Sequence, residues 1–522
     1  MRIGFASIYS WRPHVEHLYF LALLAEKAGH EAHFLACDGD LPECYTRQLR
    51  ERPAWRECFG CRLAGIRSYA RRNVSSIGTH AESRSVEVPD EWAYSSASTL
   101  GRFESDHDYA TEEFRGLVAR LMPAVRRTYD AAYAWIEKHR LDAVCVFNAR
   151  MDVTRAIYEA AQAAAVPVVS LERTWFGDGL QLLPQENCLG LRAVSAMVRE
   201  WTDTPLTGVQ AAKAASHIAA RFLRTNFKEW RAYNTNARSI AWPSEGTKAK
   251  ILLVPGSRNE VWGHPDWVSG WPEPTAAYDA IIEHLGLSPD DVVLRCHPNW
   301  AQNIGKHTGA YSERYYTSWA HRRGILCIPS TDSASTLGLI EQCDAVVVTN
   351  GSAALEAGIL GKQVIGTAPS IYQAAGLRDS VCGPEETASL VLHMDLAPDE
   401  REAVARRISR QTLRFCYTMV YRVPQYTQYV KADTTTRYRY DFTADPQRFI
   451  SILKTGLLVA DDDTSAADAS EEERVLETIR QRRWADLREP PVESHQEFSA
   501  LRRRMLYRPV DIVSAWKPVG DR

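Results

Sequence analysis

The chain has 522 residues, of which 45% are hydrophobic, and its 62 basic and 65 acidic side chains give a formal net charge of -3. This length predicts two or three domains, each large enough to bury a core, and the ordinary hydrophobic content excludes a chain that is disordered throughout. A net charge near zero argues against a general binder of nucleic acid or anionic membranes, because both require a concentrated positive field. A local basic patch remains compatible with it.

Strand and helix patterns alternate in the first half of the chain. Residues 2–8 predict a strand, residues 14–28 a helix that stops near Gly29, and residues 31–36 a second strand. Residues 62–110 are polar with weak periodicity, which predicts a loop-rich insertion. The regular pattern then resumes with a helix at 112–139, a strand at 143–147, a helix at 153–165 and a strand at 167–171. Strands joined by helices in this way predict a parallel, doubly wound sheet.

The same alternation restarts after a polar stretch at 243–250, which predicts an interdomain linker. We therefore assign 1–242 to a first doubly wound domain and 250–395 to a second. The second domain has predicted strands at 251–255, 292–296, 325–328, 345–349 and 363–366 and predicted helices at 275–285, 335–342 and 353–360. Two such domains place a ligand cleft between them, at the carboxyl ends of their strands.

Three segments follow the second domain. Residues 396–460 contain two predicted helices and are expected to pack across both domains. Residues 461–473 have the acidic, Ser/Ala-rich composition of a linker, and residues 474–522 form an Arg-rich tail. The mixed charge of the tail is typical of a solvated or packing segment, with contact to a partner or a membrane surface as the alternative.

No apolar run approaches the roughly 18–20 residues that span a bilayer, and no signal-peptide core develops at the N-terminus, so we expect a cytoplasmic protein. Most of the 11 cysteines lie in apolar runs and are expected to be reduced, buried thiols. Cys58 and Cys61 have the spacing of a structural zinc pair, but Cys37 and Cys44 are too far apart to form a second one. We favour reduced thiols or a redox-sensitive pair over zinc.

Two strand ends of the second domain carry residues suited to a phosphate. Gly256 and Ser257 let backbone N–H groups approach such a ligand, and Arg258 offers a guanidinium fork. His297, held by the fixed φ of Pro298, can donate to a phosphate oxygen or protonate a leaving group. Each motif alone is equally typical of a surface turn.

A third strand end is more specific. Asn350, Gly351 and Ser352 lie between a predicted strand and a helix, so that Ser352 and the first N–H groups are at a positive helix end. Glu356, one turn further on, can hydrogen-bond a ribose hydroxyl. A helix cap without a ligand is the competing interpretation for Ser352. The recurrence of three such segments at one sheet edge favours a nucleotide site.

These motifs resemble the nucleotide-binding domain of GT-B glycosyltransferases, specifically the capsule polysaccharide biosynthesis proteins that include Kdo transferases. Enzymes of that kind, and bacterial sialyltransferases of the same fold, share a His-Pro motif and a Ser-bearing turn that contact the nucleotide monophosphate of a CMP-sugar. His297-Pro298 and the turn at 350–352 match these motifs, and the resemblance covers about residues 140–370. Ala353 departs from the two adjacent Ser/Thr residues of many sialyltransferases, which leaves the nucleotide open.

The resemblance implies an α/β fold of two Rossmann-like domains facing a cleft, with a helical C-terminal extension. It further implies a metal-independent glycosyltransferase of bacterial surface polysaccharide assembly, which transfers Kdo from a CMP-linked donor to a glycan or glycolipid acceptor. Expected partners are these substrates and polysaccharide-assembly proteins, with peripheral contact at the inner membrane and no nucleic acid. A sugar-nucleotide epimerase of similar fold and a catalytically silent assembly subunit are the alternatives.

In a GT-B enzyme the first domain supplies the acceptor site and the catalytic carboxylate. Asn148 and Arg150 follow one predicted strand of this domain, and Glu172 and Arg173 end the next. A carboxylate there can remove the proton of an acceptor hydroxyl or attack an anomeric carbon. Glu172 is our first candidate, with an ion pair as its alternative role; Asp178, in a glycine-flanked turn, is the second, with an ordinary turn as its alternative.

The loop after the first strand is another acceptor candidate. It contains Arg12 and His14, which can hold an acidic sugar. A simple role at the start of a helix is the alternative for both residues.

Overall fold

The computed structural model describes residues 1–80, 86–229, 236–246, 248–305, 307–488 and 497–515, with side chains described as far as Asp511. Parts of the predicted insertion at 62–110, of the predicted linker at 243–250 and of the Arg-rich tail therefore lie outside the described residues.

The first domain is built on a six-stranded sheet in the order β3-β2-β1-β4-β5-β6. Its strands are β1 (Arg2–Ser7), β2 (Glu31–Ala36), β3 (Val74–Ser76), β4 (Ala143–Phe147), β5 (Val168–Arg173) and β6 (Leu180–Pro184). Its helices are α1 (His14–Lys27), α2 (Tyr45–Arg50), α3 (Ala54–Ala64), α4 (Glu91–Gly101), α5 (Asp106–Tyr109), α6 (Glu112–His139) and α7 (Asp152–Ala163). The first five strands are parallel, and β6 pairs with β5 in the antiparallel sense.

The 28-residue helix α6 packs closely on the centre of this sheet. Thr111 begins the helix by accepting a hydrogen bond from the backbone N–H of Phe114, and the buried residues recur at helical spacing. Gly4 of β1 is required at the contact, since a Cβ there would lie 2.5 Å from the ring of Trp135. The ring fills the space that a larger residue in β1 would occupy.

The second domain has its own six-stranded sheet, in the order β12-β11-β10-β7-β8-β9, and all of its pairings are parallel. Two helices, α8 (Arg192–Trp201) and α9 (Gly208–Phe222), precede it along the chain. The strands are β7 (Ile251–Val254), β8 (Val292–Arg295), β9 (Leu326–Ile328), β10 (Ala345–Val348), β11 (Gln363–Gly366) and β12 (Asp379–Ser380). The helices between and after them are α10 (Pro274–His284), α11 (Ala310–Arg323), α12 (Thr336–Gln342), α13 (Ala353–Ile359), α14 (Ile371–Ala374) and α15 (Pro384–Thr387).

The remaining chain crosses between the domains. It comprises α16 (Pro398–Tyr417), β13 (Val430–Ala432), β14 (Tyr438–Tyr440), α17 (Gln447–Thr455), α18 (Ser470–Arg480) and α19 (Arg508–Ala515). The apolar residues of α16 and α18 join the core of the second sheet, whereas those of α17 and of the β13–β14 hairpin join the core of the first. Helices α8 and α9, which we had assigned to the first domain, share the core of the second.

Two segments are more ordered than their composition predicts. The insertion contains β3, α4 and α5 rather than loops alone. In the acidic stretch, the carboxylate of Asp461 accepts hydrogen bonds from the backbone N–H groups of Tyr426 and Thr427, each at 3.0 Å. These contacts hold the start of the acidic stretch against the turn at residues 426–427. Among all residues that the structure describes, no helix combines the length and the apolar character that a membrane crossing needs.

Candidate functional site

A cavity of about 1650 Å³ lies between the two sheets, where the carboxyl ends of their strands face each other. Residues predicted from the sequence to bind or act on substrate line it from both domains: Arg12, His14, Asn148, Arg150, Glu172, Arg173, Gly256, Ser257, His297, Pro298, Asn350, Gly351, Ser352 and Glu356. Two doubly wound domains that face one cleft in this way form a GT-B fold, which confirms the predicted fold class.

Glu172, at the end of β5, lies beside His14 at the start of α1. The side-chain amide of Asn148 donates to Glu172 Oε2 at 3.0 Å, and the backbone N–H of Arg173 donates to Oε1 at 2.9 Å. His14 Nδ1 is 3.5 Å from the same Oε1. Burial raises the pKa of Glu172, opposed by the Asn148 hydrogen bond and the Arg173 N–H. Burial and the charge of Arg173 lower the pKa of His14 to about 3, so its imidazole is neutral near pH 7.

The backbone that delivers this amide is strained. Asn148 and Ala149, directly after β4, both have left-handed φ values, of 63° and 58°. Asparagine tolerates this region, but alanine rarely adopts it. The turn is held because Asn148 donates its backbone N–H to the Leu171 carbonyl and accepts from the backbone N–H of Cys188, each at 2.9 Å. Strain at a turn that aims a side chain at a buried carboxylate is typical of a functional site.

Arginines surround this pair on the first-domain side of the cavity. Arg150 donates to the Ser95 hydroxyl at 2.5 Å, which fixes its guanidinium against α4. Arg173 is partly buried, and burial lowers its pKa. Arg12 pairs with Glu16 at 3.2 Å and with Asp511 at 2.7 Å. Arg150 and Arg173 thus line this wall with Arg12, whose guanidinium pairs with two protein carboxylates.

The C-terminal tail contributes a residue to the same wall. Arg503 lines the cavity although its side chain is only 1% exposed, and its Nε donates to the hydroxyl of Ser68 at 3.0 Å. It also pairs with Asp511, which in turn binds Arg12. The composition of the tail does not predict that Arg503 lines the cavity, because mixed charge of this kind is typical of a solvated or packing segment.

The loop after β7 fits closely against the loop after β10. A Cβ at Gly256 would lie 2.1 Å from Asn350 Oδ1, so the glycine lets the asparagine amide approach the backbone. Ser257 is buried, and its hydroxyl accepts a hydrogen bond from the Trp300 indole N–H at 2.8 Å. Ser352 precedes α13 without a capping hydrogen bond from its side chain. The two loops thus form one continuous surface of the cavity.

His297 lies beside them at the end of β8. Its Nδ1 accepts a hydrogen bond from the backbone N–H of Asn299 at 3.1 Å. A neutral imidazole that accepts at Nδ1 carries its proton on Nε2, so this nitrogen is a donor. Arg295 also lines the cavity, although it was not among the residues predicted from the sequence. Its side chain is 2% exposed and donates to the carbonyls of the loop after β9. Its position two residues before the His-Pro motif was the available signal.

Two residues expected to contact the nucleotide form ion pairs within the protein. Arg258 is not among the cavity-lining residues; its NH1 is 2.8 Å from Asp106 Oδ1 in the insertion. Glu356 does line the cavity, but its Oε1 is 2.6 Å from the buried guanidinium of Arg221. Both side chains have protein partners of opposite charge that lie far away in the sequence.

Asp178, the second candidate for the catalytic carboxylate, is not brought to the cavity lining either. Its carboxylate is 3.4 Å from Lys228 and 3.1 Å from Lys431, and it accepts the backbone N–H of Ala432 at 3.0 Å. These contacts attach the turn to the β13–β14 hairpin.

Cys37, Cys44, Cys58 and Cys61 are free thiols, as are the other seven cysteines. Cys61 Sγ is 3.3 Å from the Ser10 hydroxyl. Within the described part of the chain, no three His, Cys, Asp or Glu side chains come together in a way that could hold a metal ion.

No protein-family model and no curated protein matches the chain. Among solved structures it is similar to the β-Kdo 2,4 transferase KpsC of Thermosulfurimonas dismutans, with 14% identity over 64% of this chain and 87% of that chain and a TM-score of 0.34. It is also similar to the glycosyltransferase SsfS6 of Streptomyces sp. SF2575, with 14% identity, coverages of 79% and 95% and a TM-score of 0.22. For UDP-GlcNAc 2-epimerase of Neisseria meningitidis the identity is 12%, the coverages 80% and 98% and the TM-score 0.26. Such low TM-scores assign this chain no activity.

Proposed function

We propose that the protein is a glycosyltransferase of bacterial capsule or surface polysaccharide biosynthesis. It takes a sugar, Kdo in our proposal, from a CMP-linked donor held by the second domain and transfers it to a glycan or glycolipid acceptor held by the first. The observation that carries the proposal is the placement of Glu172 and His14 across one cavity from His297 and the 350–352 turn. At about 1650 Å³ the cavity exceeds the roughly 300–1,000 Å³ of a single small-ligand pocket, which leaves room for two substrates.

The donor end of the proposed site stabilises a departing nucleotide. His297 Nε2–H donates to a phosphate oxygen, because its Nδ1 is already an acceptor for Asn299. The hydroxyl of Ser352 and the Asn350 amide add neutral polar groups on the adjoining loop. Groups fixed before the reaction stabilise the charge that develops on the phosphate without reorganising.

The acceptor end supplies the base. Burial raises the pKa of Glu172 towards the working pH, which improves a carboxylate as a general base for a sugar hydroxyl. His14 remains neutral beside it, so its Nδ1 can accept a hydrogen bond from the carboxyl once Glu172 is protonated. The same carboxylate, which a strand end and an Asn148 hydrogen bond fix at the cavity wall, is also our candidate for the nucleophile of a double displacement.

The arginines of the first domain favour an acidic substrate. Arg150, Arg173 and Arg503 line this wall together with the carboxylates of Glu57 and Glu172. A sugar carboxylate or an acceptor phosphate fits such a wall, because guanidinium groups bind planar anions with two parallel hydrogen bonds.

One exposed helix face near this end fits a membrane-borne acceptor. Trp55 is 76% exposed and Phe59 is 64% exposed, and their spacing puts both on one face of α3. Arg52 and Arg56 are also exposed and border the cavity. An aromatic pair flanked by arginines suits the interface of an anionic bilayer, so we propose peripheral contact with the inner membrane at this face.

The experiment is incubation of the purified protein with CMP-Kdo, other CMP-sugars and UDP-sugars, with and without glycan or glycolipid acceptors, followed by measurement of free nucleotide. Release of CMP that depends on an acceptor supports the proposal. A modified nucleotide sugar formed without any acceptor identifies an epimerase instead. No hydrolysis, transfer or epimerisation with any donor contradicts both enzymes and favours a silent assembly subunit.

A further inference from the structure

The insertion of the first domain reaches across the cleft to the proposed donor site of the second. Arg102, directly after α4, is 1% exposed. Its NH1 donates to the carbonyl of Gln302 at 2.6 Å, and its NH2 donates to the carbonyl and the side-chain oxygen of Asn299 at 3.1 and 2.9 Å. The backbone N–H of Asn299 in turn donates to His297 Nδ1. One residue therefore separates the guanidinium from the imidazole.

Glu104 makes the equivalent contact with the loop after β7. It is 0% exposed, and its carboxylate accepts the backbone N–H of Arg258 at 3.1 Å. It also accepts the hydroxyls of Ser312 at 2.6 Å and Tyr316 at 3.1 Å, both on α11. The residue that it holds, Arg258, directly follows the glycine and serine that line the cavity.

The backbone around these two side chains is clamped from both sides. Arg102 adopts a left-handed φ of 53° at the end of α4, which turns the chain towards the second domain. The Ser98 hydroxyl donates to the carbonyl of Asn259 at 3.1 Å. Tyr109 stacks on Trp262 with ring centroids 3.8 Å apart and an interplanar angle of 5°. Ser98 and Tyr109 thus join the insertion to the loop after β7.

A buried guanidinium and a buried carboxyl are costly unless every polar contact is made. Here the two groups do not pair with each other. The terminal nitrogens of Arg102 donate to the loop after β8, and the carboxyl of Glu104 accepts from the loop after β7 and from two hydroxyls of α11; both loops line the proposed donor site. Apolar side chains would join the domains at lower desolvation cost, so the polar contacts indicate that loop geometry is what they fix.

We propose that Arg102 and Glu104 are positioning residues, which hold the His297 imidazole and the 256–258 loop in the geometry that binds the donor. The proposal rests on the proposed function, because it assigns these loops to a nucleotide sugar. It follows that the second domain alone does not form the complete donor site: the first domain completes it from behind the loops, without contacting the donor.

The test combines a spectroscopic and a kinetic measurement on the full-length chain. Selective ¹⁵N-histidine labelling reports the tautomer of His297, which is protonated at Nε2 when Asn299 donates to Nδ1. In Arg102→Met we expect a mixture of tautomers and a donor KM raised about tenfold, with a smaller change in kcat. Arg102→Lys keeps the charge but not the planar fork of the guanidinium. We expect its tautomer mixture and its donor KM to lie between those of the wild type and Arg102→Met. Glu104→Gln is expected to raise donor KM without changing the tautomer.

Arg422→Met is the matched control. Arg422 is also fully buried and donates to backbone carbonyls, but it does not line the cavity. Any change in donor KM or in the His297 tautomer in Arg422→Met therefore measures the general effect of removing a buried arginine. A folded Arg102→Met or Arg102→Lys protein with an unchanged His297 tautomer and an unchanged donor KM would overturn the proposal. If the wild type releases nucleotide from no donor, the proposed function fails, whereas the tautomer measurement still decides whether Arg102 positions His297.

Discussion

Replacing Glu104 by glutamine should change how the stability of the protein depends on pH. Burial raises the pKa of this carboxyl from 4.5 to about 7, opposed by the hydrogen bonds from Ser312, the Arg258 N–H and Tyr316. Between these two pKa values the folded protein holds a proton that the unfolded chain has released. Stability therefore falls as pH rises through this window and becomes level above pH 7, where Glu104 is ionised in both states.

The size of the effect follows from the shift. A difference of about 2.5 pKa units corresponds to about 3 kcal/mol over the whole window, and to about 2.5 kcal/mol between pH 5 and pH 8. The charged and titratable groups that face the carboxyl are Arg258, Tyr109, Tyr278 and Tyr316, with Asp106 and Asp108 on the adjoining helix α5. The tyrosines are neutral throughout this range, so Glu104 accounts for the local pH dependence.

The assay is denaturant and thermal unfolding of wild type and Glu104→Gln at pH 5 and pH 8. From pH 5 to pH 8 we expect the free energy of unfolding of the wild type to fall by about 2.5 kcal/mol relative to that of the variant. The loss of the carboxylate acceptor adds a cost to the variant that is the same at both pH values. Glu112→Gln is the control, since Glu112 lies on the same domain but its side chain is 89% exposed. An equal free-energy difference between variant and wild type at pH 5 and pH 8 would show that Glu104 does not titrate with a raised pKa in the folded protein.

Two further predictions concern the donor loops and the exposed face of α3. Gly256→Ala places a Cβ where the Asn350 amide now lies, so we expect that amide to rotate away, at a cost of about 1 kcal/mol in unfolding free energy and about tenfold in donor affinity measured by calorimetry. The double variant Trp55→Ser, Phe59→Ser is expected to lower binding to vesicles of phosphatidylcholine and phosphatidylglycerol about tenfold in a sedimentation assay, with unfolding free energy unchanged.

Each of these predictions has a matched control. Gly116→Ala adds a Cβ with nothing within 4 Å, and a loss of donor affinity in this variant would show that the Gly256 effect is not local. Val268→Ser removes an apolar side chain that is 69% exposed on the second domain, and we expect it to leave vesicle binding unchanged. Equal vesicle binding by wild type and the α3 double variant would contradict a membrane role for that face, and a change in self-association would assign the face to a second copy of the chain.

The parts of the fold that could be predicted are those that local pattern dictates. Helix α6 was predicted at 112–139 and observed there, because its buried residues recur at helical spacing over seven turns. The strand ends at His297 and Asn350 were placed at the cleft because parallel strands bring their carboxyl ends to one edge. For the same reason Glu172 was brought to the cavity together with Asn148.

Contacts between residues far apart in sequence could not be predicted. Arg102 binds Asn299 across 197 residues, and nothing in the polar composition of 62–110 indicates that contact. Arg258 has the residue type of a phosphate ligand, but its charge is directed to Asp106 of the same insertion. Helices α8 and α9 follow the first sheet in the chain, yet their apolar residues share a core with α16 and the second sheet, which Leu183 of β6 also joins.

The decisive measurement is the release of CMP from CMP-Kdo in the presence of a glycolipid acceptor, compared between wild type and Glu172→Gln. We expect acceptor-dependent release by the wild type and release at least about 100-fold slower by the variant, with equal affinity for CMP, because the carboxyl acts on the acceptor side of the cavity. Release by Glu172→Gln at the wild-type rate would contradict this expectation.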